Sequence, residues 1–72
     1  MVPSKSDPLW KKFVTSEKEY SFSSLATKMM YTRVKQIIRK DESQLDEAID
    51  VAFSFFEKNI NIAESDLELI KN

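Results

Sequence analysis

The residue pairs that could do chemistry in this chain stand four positions apart, a spacing that brings two side chains to one face of a helix. Ser24 and Lys28 form one such pair, and a lysine can serve as the base for a nucleophilic serine. Asp46 and Asp50 form another, with the spacing of two carboxylate ligands for a hard cation. Neither pair has the usual third group, because the chain contains no His and no Cys. We therefore expect no catalytic residue and no metal site.

The absence of glycine excludes a further group of functions. Loops that cradle phosphate groups depend on glycine, and the 72 residues include none. The paired residues also have structural explanations, since serines cap helices and Asp46 would compensate the dipole at a helix start. The sequence therefore predicts a protein that is not an enzyme, has no cofactor and takes no small-molecule substrate.

A series of basic residues is the first candidate for binding. No acidic residue occurs between Ser21 and Lys40, and three of the basic residues are spaced at i, i+7 and i+11 along one side of a helix: Lys28, Lys35 and Arg39. With Arg33 they could contact a nucleic-acid backbone or steer an acidic protein surface. A solvated helix face is the alternative. The formal net charge of -1 and pI of about 5.4 favour a protein partner over nucleic acid.

Residues 25–32 within this basic segment resemble the opening of a helix-turn-helix, whose pattern is apolar, Ala, three residues, Gly, apolar, Ser or Thr. Met30 stands where the glycine of the turn is expected. The apolar residues that follow keep the phase of one unbroken helix: Val34, Ile37 and Ile38. The resemblance implies DNA binding, and if the turn formed, the residues facing the major groove would be Thr32, Arg33, Lys35 and Gln36.

Aromatic residues are the second candidate for binding. Phe53, Phe55 and Phe56 span about 160° of a helix circumference at 100° per residue, which is wider than one neighbouring helix covers. The structural interpretation is a central helix that contacts two neighbours. The functional interpretation is an apolar patch for a protein partner or a second copy, formed by Trp10, Met29, Met30, Phe53 and Phe55. A chain this short buries only about 60% of its unfolded surface, which favours self-association.

The elements that must position these residues are all helical. Ser6-Asp7-Pro8 and the serines before Leu25 have the pattern of helix starts, and Ser43-Gln44-Leu45-Asp46 repeats it. Asn59 and Asn61 are expected to take the left-handed conformation that ends a helix in the absence of glycine. The sequence thus predicts one all-α domain, residues 1–72, a small bundle with a short N-terminal helix, two long antiparallel helices at about 22–40 and 44–59, and a short C-terminal helix at 62–70.

Charge is segregated along the chain. Residues 1–40 carry nine Lys or Arg and three acids, whereas residues 41–72 carry two and nine. No apolar run is long enough to span a membrane, and the start lacks a signal-peptide core, so we expect a cytoplasmic protein with no membrane partner. The predicted function is a small protein–protein interaction module, an adaptor or regulator that acts as a dimer. The alternative is a nucleic-acid-binding regulator that uses the basic helix at 22–40.

Overall fold

The computed structural model describes residues 2–71, apart from the side chain of residue 63, and confirms the all-α prediction. Within residues 2–71 there is no strand. The described residues form four α-helices, with a short 3₁₀ turn at Glu42–Gln44 between the second and the third: α1 Pro8–Thr15, α2 Leu25–Lys40, α3 Leu45–Lys58 and α4 Ile60–Lys71.

The first two helices begin at side-chain caps. The Asp7 carboxylate accepts a hydrogen bond from the Leu9 N–H at 2.9 Å, and Pro8 occupies the first turn of α1. Ser24 caps α2 by accepting from the Thr27 N–H at 3.1 Å. The helix consequently starts three residues later than the predicted position 22, because the backbone of the Ser24 cap is extended and not helical.

The two long helices are joined by a connection that the Asp41 carboxylate stabilises. It accepts hydrogen bonds from the Ser43 N–H at 3.0 Å and the Ser43 hydroxyl at 2.8 Å. These bonds hold the pKa of the Asp41 carboxyl below its ordinary value. Because the connection is short, α3 returns alongside α2 in the opposite direction.

The junction between α3 and α4 differs from the prediction. Asn59 has φ of -120°, Asn61 lies inside α4, and no residue among 2–71 has a positive φ. The left-handed termination expected at these asparagines is therefore wrong. The Asn59 N–H and side-chain amide both donate to the Phe55 carbonyl, each at 3.0 Å. Both bonds go to one carbonyl in the last turn of α3, and α4 begins at Ile60, two positions before the predicted 62.

The core lies around α3, which packs against each of the other three α-helices. Trp10 from α1 meets Phe53 edge-on, with ring centroids 5.8 Å apart, and Phe56 at 5.4 Å. The Trp10 indole N–H donates to the Ser4 carbonyl at 3.0 Å, so its polar atom is satisfied inside the protein. The buried hydrophobic residues are Trp10, Phe13, Val14, Met30, Val34, Ala48, Ala52, Phe56, Leu67 and Ile70.

The C-terminal helix is attached through a buried carboxylate as well as through apolar contacts. Asp66 Oδ1 accepts hydrogen bonds from the Ser23 N–H at 2.9 Å and the Ser23 hydroxyl at 2.8 Å. Leu67 and Ile70 of the same helix enter the core. The Ser23–Asp66 contact holds α4 against the beginning of α2, because Ser23 directly precedes the Ser24 cap.

Candidate interaction groove

An open apolar groove of about 730 Å³ lies between α2 and α3. We call it the α2–α3 groove. Its two walls are one face of α2 and two half-buried residues of α3, Val51 and Phe55. The residues that line it are Leu25, Ala26, Lys28, Met29, Met30, Thr32, Arg33, Gln36, Val51 and Phe55.

The groove is open because α2 turns only one edge of its apolar arc toward the core. The other edge of the arc is left exposed. At 100° per residue, with Leu25 at 0°, the apolar residues extend over about 180° to Val34. The most buried positions, Thr27 and Val34, cluster at about 180–200° rather than at the middle of that arc. Leu25 is consequently 73% exposed and Met29 63% exposed. Two large apolar side chains therefore stand in solvent beside Phe55.

The opposite side of α2 is covered by the N-terminal part of the chain. Four aromatic rings pack together there, with centroid distances between 5.2 and 6.3 Å. The Tyr31 hydroxyl donates to the Lys18 carbonyl at 3.2 Å, which holds the segment after α1 against α2. We call this side of α2, together with the chain that packs on it, the covered face. Its rings are Phe13 of α1, Tyr20 and Phe22 of the following segment, and Tyr31 of α2.

The five residues predicted as one apolar patch are divided by the structure. Met29, Met30 and Phe55 line the α2–α3 groove. Trp10 is 0% exposed, and Phe53, on the other shoulder of α3, packs on it. Trp10 and Phe53 belong to the packing between α1 and α3, so they do not share a surface with the other three.

The four predicted basic residues are divided in the same way. Lys28 and Arg33 line the groove, whereas Arg39 is exposed near the end of α2 and does not line it. Lys35 points to α1 and donates hydrogen bonds to three backbone carbonyls, at 3.0 Å to Phe13, 3.2 Å to Val14 and 2.5 Å to Ser16. An interpretation of Lys35 as a steering or phosphate-contacting residue does not fit this geometry.

Lys35 instead caps the end of α1. The last carbonyls of a helix have no partner within it and carry the negative end of its dipole, so an ammonium group there is stabilising. The Nζ also lies 5.4 Å from the Tyr31 ring centroid and 5.8 Å from that of Phe13. Burial, with a smaller contribution from Arg39, lowers the pKa of Lys35 from its ordinary value.

The turn implied by the helix-turn-helix resemblance does not form. α2 runs without interruption from Leu25 to Lys40, and Met30 lies inside it with its side chain buried. Met30 contributes a large apolar side chain to the core where the motif has a glycine, and the prediction of one unbroken helix from the phase of Val34, Ile37 and Ile38 is confirmed. Thr32, Arg33 and Gln36 line the groove, and Lys35 faces the other side of the helix.

One member of each residue pair considered for chemistry is engaged in another contact. Ser24 caps α2 and its hydroxyl is hydrogen-bonded to that of Thr27, so it forms part of the helix start. Asp50 forms an ion pair with Lys5. Among the residues that the structure describes, no three acidic side chains come together as a metal site would require.

Three groove residues were missed by sequence reasoning: Leu25, Ala26 and Val51. Leu25 was assigned to the apolar face of its helix, but its position at the edge of the arc, just after the Ser24 cap, was the signal that it lies at the margin. Val51 lies four residues before Phe55, on the same side of α3, and that spacing would have identified it.

Comparison with known proteins adds no relative: no protein-family model, no curated protein and no solved structure matches this chain. None of the helices described in residues 2–71 has both the length and the apolar content needed to cross a lipid bilayer.

Proposed function

We propose that this chain is a non-enzymatic interaction module, an adaptor or regulator, whose α2–α3 groove binds an amphipathic helix of a protein partner. The observation that carries the proposal is the exposure of Leu25 and Met29 in the same groove as Phe55. Large apolar side chains grouped on a surface are typical of interaction sites, whereas single ones need no explanation.

A helix is the occupant that this groove suits best. Two neighbouring helices form its walls, and a third helix can lay an apolar stripe of i, i+3, i+4 and i+7 residues into such a cleft. Met29 is unbranched and mostly exposed, so its side chain adapts to the shape of a partner. Aromatic and methionine side chains are also enriched at the centres of protein interfaces, which fits Phe55.

The charge at the groove predicts that the partner helix carries acidic residues beside its apolar stripe. Lys28 and Arg33 line the groove, and α2 contains no acidic residue. Exposed charges of this kind contribute modestly to affinity, but they speed the encounter with an oppositely charged partner and disfavour a basic one.

The test is fluorescence anisotropy with two designed helical peptides that share one leucine stripe. One peptide has Glu beside the stripe and the other has Lys at the same positions. We expect the Glu peptide to bind at least about tenfold more tightly, a difference of about 1.4 kcal/mol. Met29→Ser should remove binding, while Ile62→Ser, which changes an exposed apolar residue outside the groove, should not.

Three results would overturn the proposal: no binding of either peptide, equal binding of both, or binding that Met29→Ser leaves unchanged. An oligonucleotide is the remaining arm of the experiment. If it bound at low salt more tightly than the Glu peptide, and Lys28→Gln with Arg33→Gln flattened the salt dependence, the basic helix would be a nucleic-acid site instead.

A further inference from the structure

The outer side of α4 carries an apolar ridge that its packing against the bundle does not use. Ile62 is 47% exposed and Leu69 is 36% exposed. They stand seven residues apart, about two turns, and therefore lie on the same side of the helix. Leu67 and Ile70 of α4 face the core. The helix thus presents apolar side chains in two directions, one buried in the core and the other only partly covered within the chain.

Acidic residues accompany this ridge. Glu68 is adjacent to Leu69 and its side chain is 71% exposed, with Lys71 Nζ at 3.9 Å. α4 itself carries three acids and one basic residue, and one of these acids, Asp66, is buried against Ser23. An apolar ridge on an acidic helix is the chemistry that the α2–α3 groove is proposed to bind. The chain therefore contains both the groove and a helix that matches it.

The ridge and the groove lie toward the same end of the molecule. The Ser23–Asp66 hydrogen bonds hold α4 beside the start of α2, and Leu25, two residues after Ser23, lines the groove. When two complementary surfaces are near each other, a two-fold axis can bring both into contact with a second copy at once. Such an arrangement closes as a dimer and does not extend into a filament.

Resting on the proposed function, we infer that the groove also takes the α4 ridge of a second copy of this chain, reciprocally, to form a symmetric dimer. Leu69 and Ile62 of one copy would occupy the groove beside Met29 of the other, with Glu68 toward the basic rim. The contact uses few large side chains, so the dimer is expected to be weak and concentration-dependent, as interfaces below about 1,200 Å² usually are. A protein partner with a better-matched acidic helix would displace it.

Sedimentation equilibrium of the full chain over a range of concentrations tests this inference. We expect a monomer–dimer equilibrium for the unaltered chain. Met29→Ser in the groove and Leu69→Ser on the ridge should each weaken the dimer at least about tenfold. Lys11→Ser, an exposed change on α1, is the matched control and should leave it unchanged. Circular dichroism confirms that each variant is folded.

Mixing the two variants provides the sharper measurement. A heterodimer of Met29→Ser with Leu69→Ser contains one contact in which both the groove and the ridge are intact. A contact that one substitution has already broken loses little further binding free energy from a second substitution, because the effects of substitutions at contacting residues are not additive. We therefore expect the mixture to associate more tightly than either variant alone.

The outcomes separate this inference from the proposed function. If the chain is monomeric at all accessible concentrations while the designed Glu peptide still binds the groove, the second-copy occupant is wrong and the interaction module stands. A dimer that neither variant weakens would also overturn the inference. If neither the peptide nor a second copy binds, both proposals fail.

Discussion

The two faces of α2 both carry large apolar or aromatic side chains, but one face is covered by the rest of the chain and the other is left open. On the covered face, Tyr31 packs with rings from the N-terminal half of the chain, and Lys35 is bonded to three carbonyls of that half. On the groove face, Leu25 and Met29 remain exposed. Neighbouring residues along one helix are thus buried or left open according to where α1 and the segment after it return.

This difference teaches that the burial of an apolar residue is a property of its neighbours in space. The covered face is closed by polar contacts as well as by rings, since the Tyr31 hydroxyl and the Lys35 ammonium each bond to backbone carbonyls. The exposed side chains of Leu25 and Met29 are apolar and form no such polar contact. The covered face should therefore determine stability, and the groove should determine binding.

The largest expected effect comes from breaking the covered face at its centre. Phe13→Ala removes a fully buried ring that contacts three other aromatic residues, and we expect it to lower the free energy of unfolding by about 3–5 kcal/mol. Urea denaturation followed by circular dichroism measures this. A loss below about 1 kcal/mol would mean that the covered face is not tightly packed.

Lys35→Met tests the polar part of the same face. The substitution keeps most of the aliphatic side chain but leaves the carbonyls at the end of α1 without their ammonium partner, so we expect a loss of about 1–3 kcal/mol. Arg33→Met, which changes an exposed basic residue on the groove side of the same helix, is the control and should change stability by no more than about 0.5 kcal/mol. Equal losses of unfolding free energy in the two variants would contradict the claim that Lys35 stabilises the covered face and the control residue does not.

A smaller effect is expected in how the stability of the chain changes with pH in the alkaline range. Burial, and then the Glu19 carboxylate, raise the pKa of Tyr31 above its ordinary value of 10.0. A raised folded-state pKa contributes stability that is present below the unfolded pKa and is lost as pH rises through the folded one. Lys35, whose pKa is lowered, acts in the opposite direction in the same range.

Comparing the unaltered chain with Tyr31→Phe isolates the tyrosine, since both retain Lys35. Urea midpoints measured from about pH 8 to about pH 11 should fall less steeply with pH in the variant. Parallel curves would show that the Tyr31 proton is not held more tightly in the folded chain.

The smallest expected effect on stability is at the groove itself. Leu25→Ser and Met29→Ser change side chains that are mostly in solvent, so the free energy of unfolding should stay within about 0.5 kcal/mol in the same urea assay. Destabilisation as large as that of Phe13→Ala would instead place these residues in the core.

Local patterns predicted the helices well and the placement of surfaces only in part. The Asp7 and Ser24 caps were readable because capping depends on adjacent residues. The positions of Phe53 and Phe55 on opposite shoulders of α3 followed from helical periodicity. The role of Lys35 could not be read in this way, because it depends on the path of residues 16–24 back to α2. The Ser23–Asp66 contact joins residues 43 positions apart, which no local pattern encodes.

The most direct test of the account is the methyl NMR spectrum of the chain labelled on its three methionines, recorded while the designed Glu peptide is added. Met29 and Met30 line the groove, and a Met29→Leu variant assigns the first of their signals. We predict that both signals shift progressively and saturably with the Glu peptide and shift much less with the Lys peptide. Binding of the Glu peptide that leaves the Met29 signal unmoved would contradict the claim that the α2–α3 groove is the binding site.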